Sequence, residues 1–94
     1  MAAVLTLPEE LCLVELPAVR QRIDEVIDDG TRHLVLDLAA TTLVTAAALR
    51  VFDTTEHRLA DLGGDLLLRN VRPLPFRVLQ ITGFDRLVET ALAP

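Results

Sequence analysis

The chain has 94 residues, 51% of them hydrophobic and 24% charged, a balance that fits one packed globule of ordinary domain size and excludes a disordered chain. A formal net charge of -5 disfavours a free-standing nucleic-acid binder, which is normally basic. With one Cys and two His, there are too few ligands for a disulfide framework, a multi-cysteine zinc site or a His-rich metal centre.

Residues 4–7 form a short apolar stretch closed by Pro8 and predict a strand. Residues 11–14 extend that strand or re-enter the sheet. Pro17 suits the start of a helix, where its missing N–H would be unpaired in any case. From there Leu16, Val19, Ile23, Val26 and Ile27 recur at helical spacing, with Arg20, Gln21, Asp24, Glu25 and Asp28 on the opposite face. Gly30 can take the left-handed conformation that ends such a helix.

Residues 34–38 are nearly all apolar, the pattern of a central strand covered on both faces. Leu43 and Val44 continue the theme. A second helix is predicted over residues 46–62, with Leu49, Phe52, Leu59 and Leu62 as its stripe and Gly63-Gly64 as its stop. Residues 66–68 predict another buried strand, and Pro75 opens a short helix that Gly83 ends. For residues 85–93 the periodicity does not decide between strand and helix. Strand and helix thus alternate three times, which predicts a single α/β domain over residues 1–94, with a mostly parallel central sheet and helices packed on it. In such sheets functional loops tend to follow strand ends, so the connection over residues 41–48 is the first place to look.

All nine basic residues are Arg, and Lys, Ser, Tyr and Trp are absent. Such usage fits a GC-rich bacterial genome. The N-terminus lacks the positive leader of a secretory signal. The longest apolar tract, residues 34–49, is interrupted by Asp37 and threonines and is shorter than the ~20 residues that span a bilayer. The expected location is the cytoplasm, without membrane insertion.

No catalytic constellation stands out, and no catalytic residue, metal site or cofactor is assigned. The absence of Ser removes serine nucleophiles outright. Cys12 with His33 or His57 as base is the one conceivable nucleophilic pair, against which Cys12 reads as a small residue near a strand end and His57 as an exposed helical side chain. Asp28-Asp29 and Glu9-Glu10 read as solvated charge. Asp37 stands between apolar neighbours, either hydrogen-bonded at a strand end or facing a crevice.

The stretch over residues 33–49, HLVLDLAATTLVTAAAL, resembles the STAS domain of sulfate transporters and anti-sigma factor antagonists. In that family a hydrophobic strand ends in Asp-Leu, as at Asp37-Leu38. An apolar pair follows, as at Leu43-Val44, and then Asp-Ser-Ser-Gly-Leu opens a helix. The last motif falls on Thr45-Ala46-Ala47-Ala48-Leu49. Glu9-Glu10-Leu11-Cys12 stands where members often have Gly-Glu-Leu-Asp, Gly63-Gly64 precedes the third strand, and residues 79–87 resemble the closing pattern.

The resemblance implies a non-catalytic regulatory module, an anti-sigma factor antagonist that binds an anti-sigma factor with a kinase-type ATPase fold. In the family the kinase phosphorylates the first Ser after the signature Asp, and the added charge breaks the complex. Here Ala46 falls on that position and has no hydroxyl, so the implied module lacks the usual phosphoswitch. Thr45 is a shifted acceptor or, as its position favours, a helix N-cap. The expected partner-binding residues are Cys12, Thr42, Thr45, Ala46, Ala47 and Arg50, with Asp53, Thr54 and His57 further along the helix. The same resemblance allows a small STAS subunit that docks on the ATPase of a lipid-transport ABC complex.

Overall fold

The computed structural model describes residues 1–89. The elements are β1 (Ala2–Thr6), β2 (Glu10–Leu11), α1 (Leu16–Asp28), β3 (His33–Asp37), β4 (Leu43–Val44), α2 (Ala46–Asp61), β5 (Asp65–Arg69) and α3 (Pro73–Thr82), followed by a 3-10 turn, Phe84–Leu87. Three strands form a parallel sheet in the order β1-β3-β5. A second, two-stranded parallel ladder pairs β2 with β4. The expected mostly parallel α/β architecture is therefore present.

The first strand is displaced from its expected bounds. It starts at Ala2, and Leu7 follows it as a buried residue whose N–H still donates to the Asp37 carbonyl. The expected strand over residues 11–14 shrinks to Glu10–Leu11, which pairs with β4 and not with the main sheet. Beyond it the chain turns, and Leu13 and Val14 are 75% and 84% exposed. A run of apolar residues has the same appearance in sequence whether a second strand lies beside it or not.

Helices α1 and α2 lie on one face of the sheet. Leu34 and Leu36 of β3 and Leu66 and Leu68 of β5 bury their side chains there. The intervening Val35 and Leu67 are only half-buried, and in-register Val4 of β1 is 53% exposed. The expectation that the central strand is covered on both faces is corrected accordingly. Leu and Val favour the pleat whether or not a second layer exists, so apolar content overstates coverage.

The α1 stripe matches expectation: Leu16, Val19, Ile23 and Ile27 are buried and Val26 packs at the core margin. In α2 the buried set is Ala48, Leu49, Val51, Phe52, Thr55 and Leu59. Leu62, expected in that stripe, is the C-cap residue and 46% exposed. The helix ends one residue short of the expected 62, and Leu62 leaves the core face as the chain enters Gly63 at φ +81°. Helix α3 begins at Pro73, two residues ahead of the expected Pro75, because the first turn needs no backbone N–H and accepts both prolines.

The undecided tail resolves into the 3-10 turn and then a parallel bridge from Val88 to Leu68, beside β5. The Glu89 N–H donates to the Leu68 carbonyl, and its carboxylate takes the Arg69 guanidinium at 2.9 Å. That hydrogen-bonded pair holds the Glu89 carboxyl below the usual carboxylate range. The rest of the tail, residues 90–93, lies outside the described residues.

Candidate functional site

The β2–β4 ladder builds one corner of the site. Its register sets Leu11 against Val44, so the next residues, Cys12 and Thr45, emerge side by side. Thr42 fixes the start of β4: its N–H donates to the Glu9 carbonyl at 2.7 Å and its hydroxyl to the same oxygen at 3.3 Å. One residue earlier, the buried Thr41 hydroxyl donates to the Pro8 carbonyl at 2.8 Å.

Thr45 is the N-cap of α2, in extended backbone. Its Oγ1 accepts from the Ala48 N–H at 3.3 Å and donates to the Leu11 carbonyl at 2.6 Å. Helix start and β2–β4 ladder are thereby tied through one hydroxyl. Thr45→Ala is expected to lower stability by about 1 kcal/mol, the typical worth of an N-cap, read as a shift of the urea midpoint, while Thr45→Ser stays near wild type. Equal stability of all three would mean that the hydroxyl does not anchor the helix.

From the cap, α2 carries the remaining expected positions. At about 100° per residue, Ala46, Arg50, Asp53 and His57 share one stripe, with Ala47 and Thr54 along its flank toward α1. Ala46, Arg50, Thr54 and His57 are exposed, and Ala47 and Asp53 half-buried. His57 Nδ1 lies 2.8 Å from the Asp53 carbonyl and 3.4 Å from its carboxylate. The carbonyl first, then the carboxylate, holds His57 above its ordinary imidazole value. Asp53, Glu56 and His57 each offer a ligand atom within 4.8 Å of the others; Glu56 is already engaged by Arg86 at 2.6 Å.

Sequence reasoning did not find the groove on the α1 side. The turn before α1 and the first turns of α1 and α2 enclose a volume of about 630 Å³, lined by Leu13, Leu16 and Arg20 on one side and Ala46, Ala47 and Arg50 on the other. Three of the expected binding residues thus line a single concavity. Arg20, read from periodicity as a solvated face, faces it as well. The exposed Leu13-Val14 pair was the available signal, masked by its strand-like pattern.

Other candidates settle into structural roles. Burial, with the Glu10 and Glu15 carboxylates, pushes the Cys12 thiol up, away from the reactive thiolate. Asp37 sits at a turn: Oδ1 accepts from the Ala39 N–H at 2.9 Å and from Asn70 Nδ2 at 3.3 Å. Asn70 holds the left-handed φ of +57°. Asp37 thus joins the ends of β3 and β5, hydrogen-bonded at a strand end. His33 is exposed at the start of β3 and pairs with Asp65 at 3.0 Å. No helix among the described residues is long and apolar enough to cross a membrane.

A parallel α/β layer with helices on one face, and a groove at the start of α2, define a small single-layer α/β domain. The STAS domain family matches over residues 2–93, and the chain belongs to it. It is 34% identical over 58 residues to BtrV of Bordetella bronchiseptica, named as a candidate anti-sigma factor antagonist, an alignment covering 62% of this chain and 50% of BtrV. The chain therefore spans about half the length of that curated relative.

Among solved structures, it is similar to an anti-sigma factor antagonist from Mycobacterium paratuberculosis, with a TM-score of 0.83 and 26% identity over 97% of this chain and 79% of that one. It shares its fold with the anti-sigma factor antagonist SpoIIAA in its unphosphorylated form, with a TM-score of 0.85 and 17% identity over 97% of this chain and 80% of that one. Phosphorylated SpoIIAA of Bacillus gives a TM-score of 0.75 at 18% identity, covering 97% and 83% of the two chains.

Proposed function

We propose that this protein is an anti-sigma factor antagonist that binds an anti-sigma factor of kinase-type ATPase fold without a phosphoswitch. It acts in the cytoplasm as a binding module with no catalytic step. The observation that carries this reading is the start of α2. The residue matching the family's acceptor Ser is Ala46, exposed and without a hydroxyl. The hydroxyl next to it in the chain, on Thr45, is held in two hydrogen bonds that anchor the helix. Phosphate on Thr45 would remove the hydrogen it donates to the Leu11 carbonyl and so cut its tie to the β2–β4 ladder. Cys12, Thr42, Thr45, Ala46, Ala47 and Arg50 form the centre of the interface in this reading, and Asp53, Thr54 and His57 its continuation along α2.

The test is calorimetric titration of the purified chain against each anti-sigma factor of its host, before and after incubation with Mg-ATP. The expected result is one high-affinity pair whose Kd is unchanged by ATP, with no phosphate on the chain by mass spectrometry. Loss of binding with phosphate on Thr45 would overturn the switchless reading. If no anti-sigma factor binds and the ATPase of a lipid-transport ABC complex does, the protein is a transporter subunit instead.

A further inference from the structure

We infer that the groove between α1 and α2 receives a helical segment of the partner whose apolar stripe is bordered by acidic side chains. This rests on the docking face proposed above and specifies the chemistry of what docks there. The groove has an apolar floor, Leu16, Ala46 and Ala47, and an exposed Leu13 at its rim. The two alanines place α2 backbone close to the surface, so a helix can approach closely. Rim residues Leu13, Arg20 and Arg50 are all exposed, so the groove does not close over a small ligand as a pocket would. An open trough between two helices suits an amphipathic helix laid along it.

Charge decides the partner's sign. The chain as a whole carries -5, yet the groove is locally cationic. Arg20 projects from one wall and Arg50 from the other. Among the described residues neither makes a hydrogen bond or an ion pair, whereas Arg58, Arg69 and Arg86 all hold carboxylates. The groove's own acid, Asp24, is taken by Arg58. Two uncommitted guanidiniums flanking apolar surface are complementary to carboxylates, which they can take in bidentate geometry as the partner excludes water.

The test uses the full chain, labelled with 15N, and two synthetic helical peptides of about five turns, ~18 residues each. Both carry the same Leu stripe; Glu borders it in one and Arg in the other. The Glu peptide is expected to bind about tenfold tighter at low salt and to shift the amides of Leu13, Ala47 and Arg50. The double variant Arg20→Glu/Arg50→Glu, at positions whose exposed arginine side chains make no hydrogen bond or ion pair among the described residues, should reverse the preference. Equal affinity for both peptides, no binding by either, shifts outside the groove, or a preference that survives the charge reversal would each overturn the inference. So would a concentration-dependent dimer abolished by the same variant, which would make a second copy the occupant. An anti-sigma factor that binds wild type and double variant alike would remove the acidic-helix inference and leave the antagonist reading intact. Peptide binding in the groove without any anti-sigma factor partner would do the reverse.

Discussion

Gly64→Ala is expected to destabilise the domain by about 3 kcal/mol, the upper end of what overpacking costs, and more than any single change at the surface. A Cβ on Gly64 would stand 1.8 Å from the Arg32 carbonyl oxygen and 2.7 Å from its carbon. Both are backbone atoms and cannot swing aside. That oxygen also accepts the Asp65 N–H at 2.9 Å, at the start of the β3–β5 pairing. Gly64 is held from the other side, because its own N–H donates to the Leu59 carbonyl at 2.7 Å. Relief of the clash therefore has to part β5 from β3 or lift the end of α2. Gly63→Ala is the informative neighbour: nothing lies within 4 Å of its Cβ, and the cost comes only from φ +81°. About 1–2 kcal/mol is expected there. Urea unfolding followed by circular dichroism distinguishes the two, and a Gly64→Ala protein as stable as Gly63→Ala would show that the strand junction yields.

If the proposed function holds, Ala46→Asp should weaken binding to the anti-sigma factor by about 100-fold or more, close to 3 kcal/mol, while leaving the fold untouched. Ala46 is exposed in the first turn of α2, where an acidic side chain favours the helix through its dipole by a few tenths of a kcal/mol. The same charge within a docked interface would be stripped of water without a designed partner, and it would stand beside an acidic segment if the groove takes one. Binding lost with stability kept is the signature, read by calorimetry on a variant of unchanged urea midpoint. A variant that keeps full affinity would move the interface away from the start of α2. Ala46→Ser then asks the complementary question, since it places a hydroxyl where the family carries its acceptor. ATP-dependent loss of binding in that variant would mean the partner kept its kinase activity while this chain lost the target.

Much of the scaffold was legible because its signals are local. Helix α1 follows from a stripe of five residues at helical spacing, and the N-cap role of Thr45 follows from a Thr placed just before the alanine run. Elsewhere the same local signal fits two outcomes. Residues 11–14 pattern like a strand, and only the position of β4 limits the pairing to Glu10–Leu11. Leu62 has the right phase for the α2 stripe but lies past the last helical turn. Gly63 and Gly64 read alike as helix stops, yet one is there for its φ and the other for its missing side chain.

The sequence by itself determined the alternation of strands and helices, the parallel α/β class, the resemblance to the family and the absence of a hydroxyl at Ala46. Each of these is written in residue type and short-range spacing. Only the tertiary structure decided that Leu13 and Val14 are exposed, that Arg20 and Arg50 face one groove, and that Asp24 is spent on Arg58. The groove's walls come from two helices about 30 residues apart in the chain, and no periodicity within either encodes their relation. That relation is set by how both pack their apolar stripes onto the same face of the sheet.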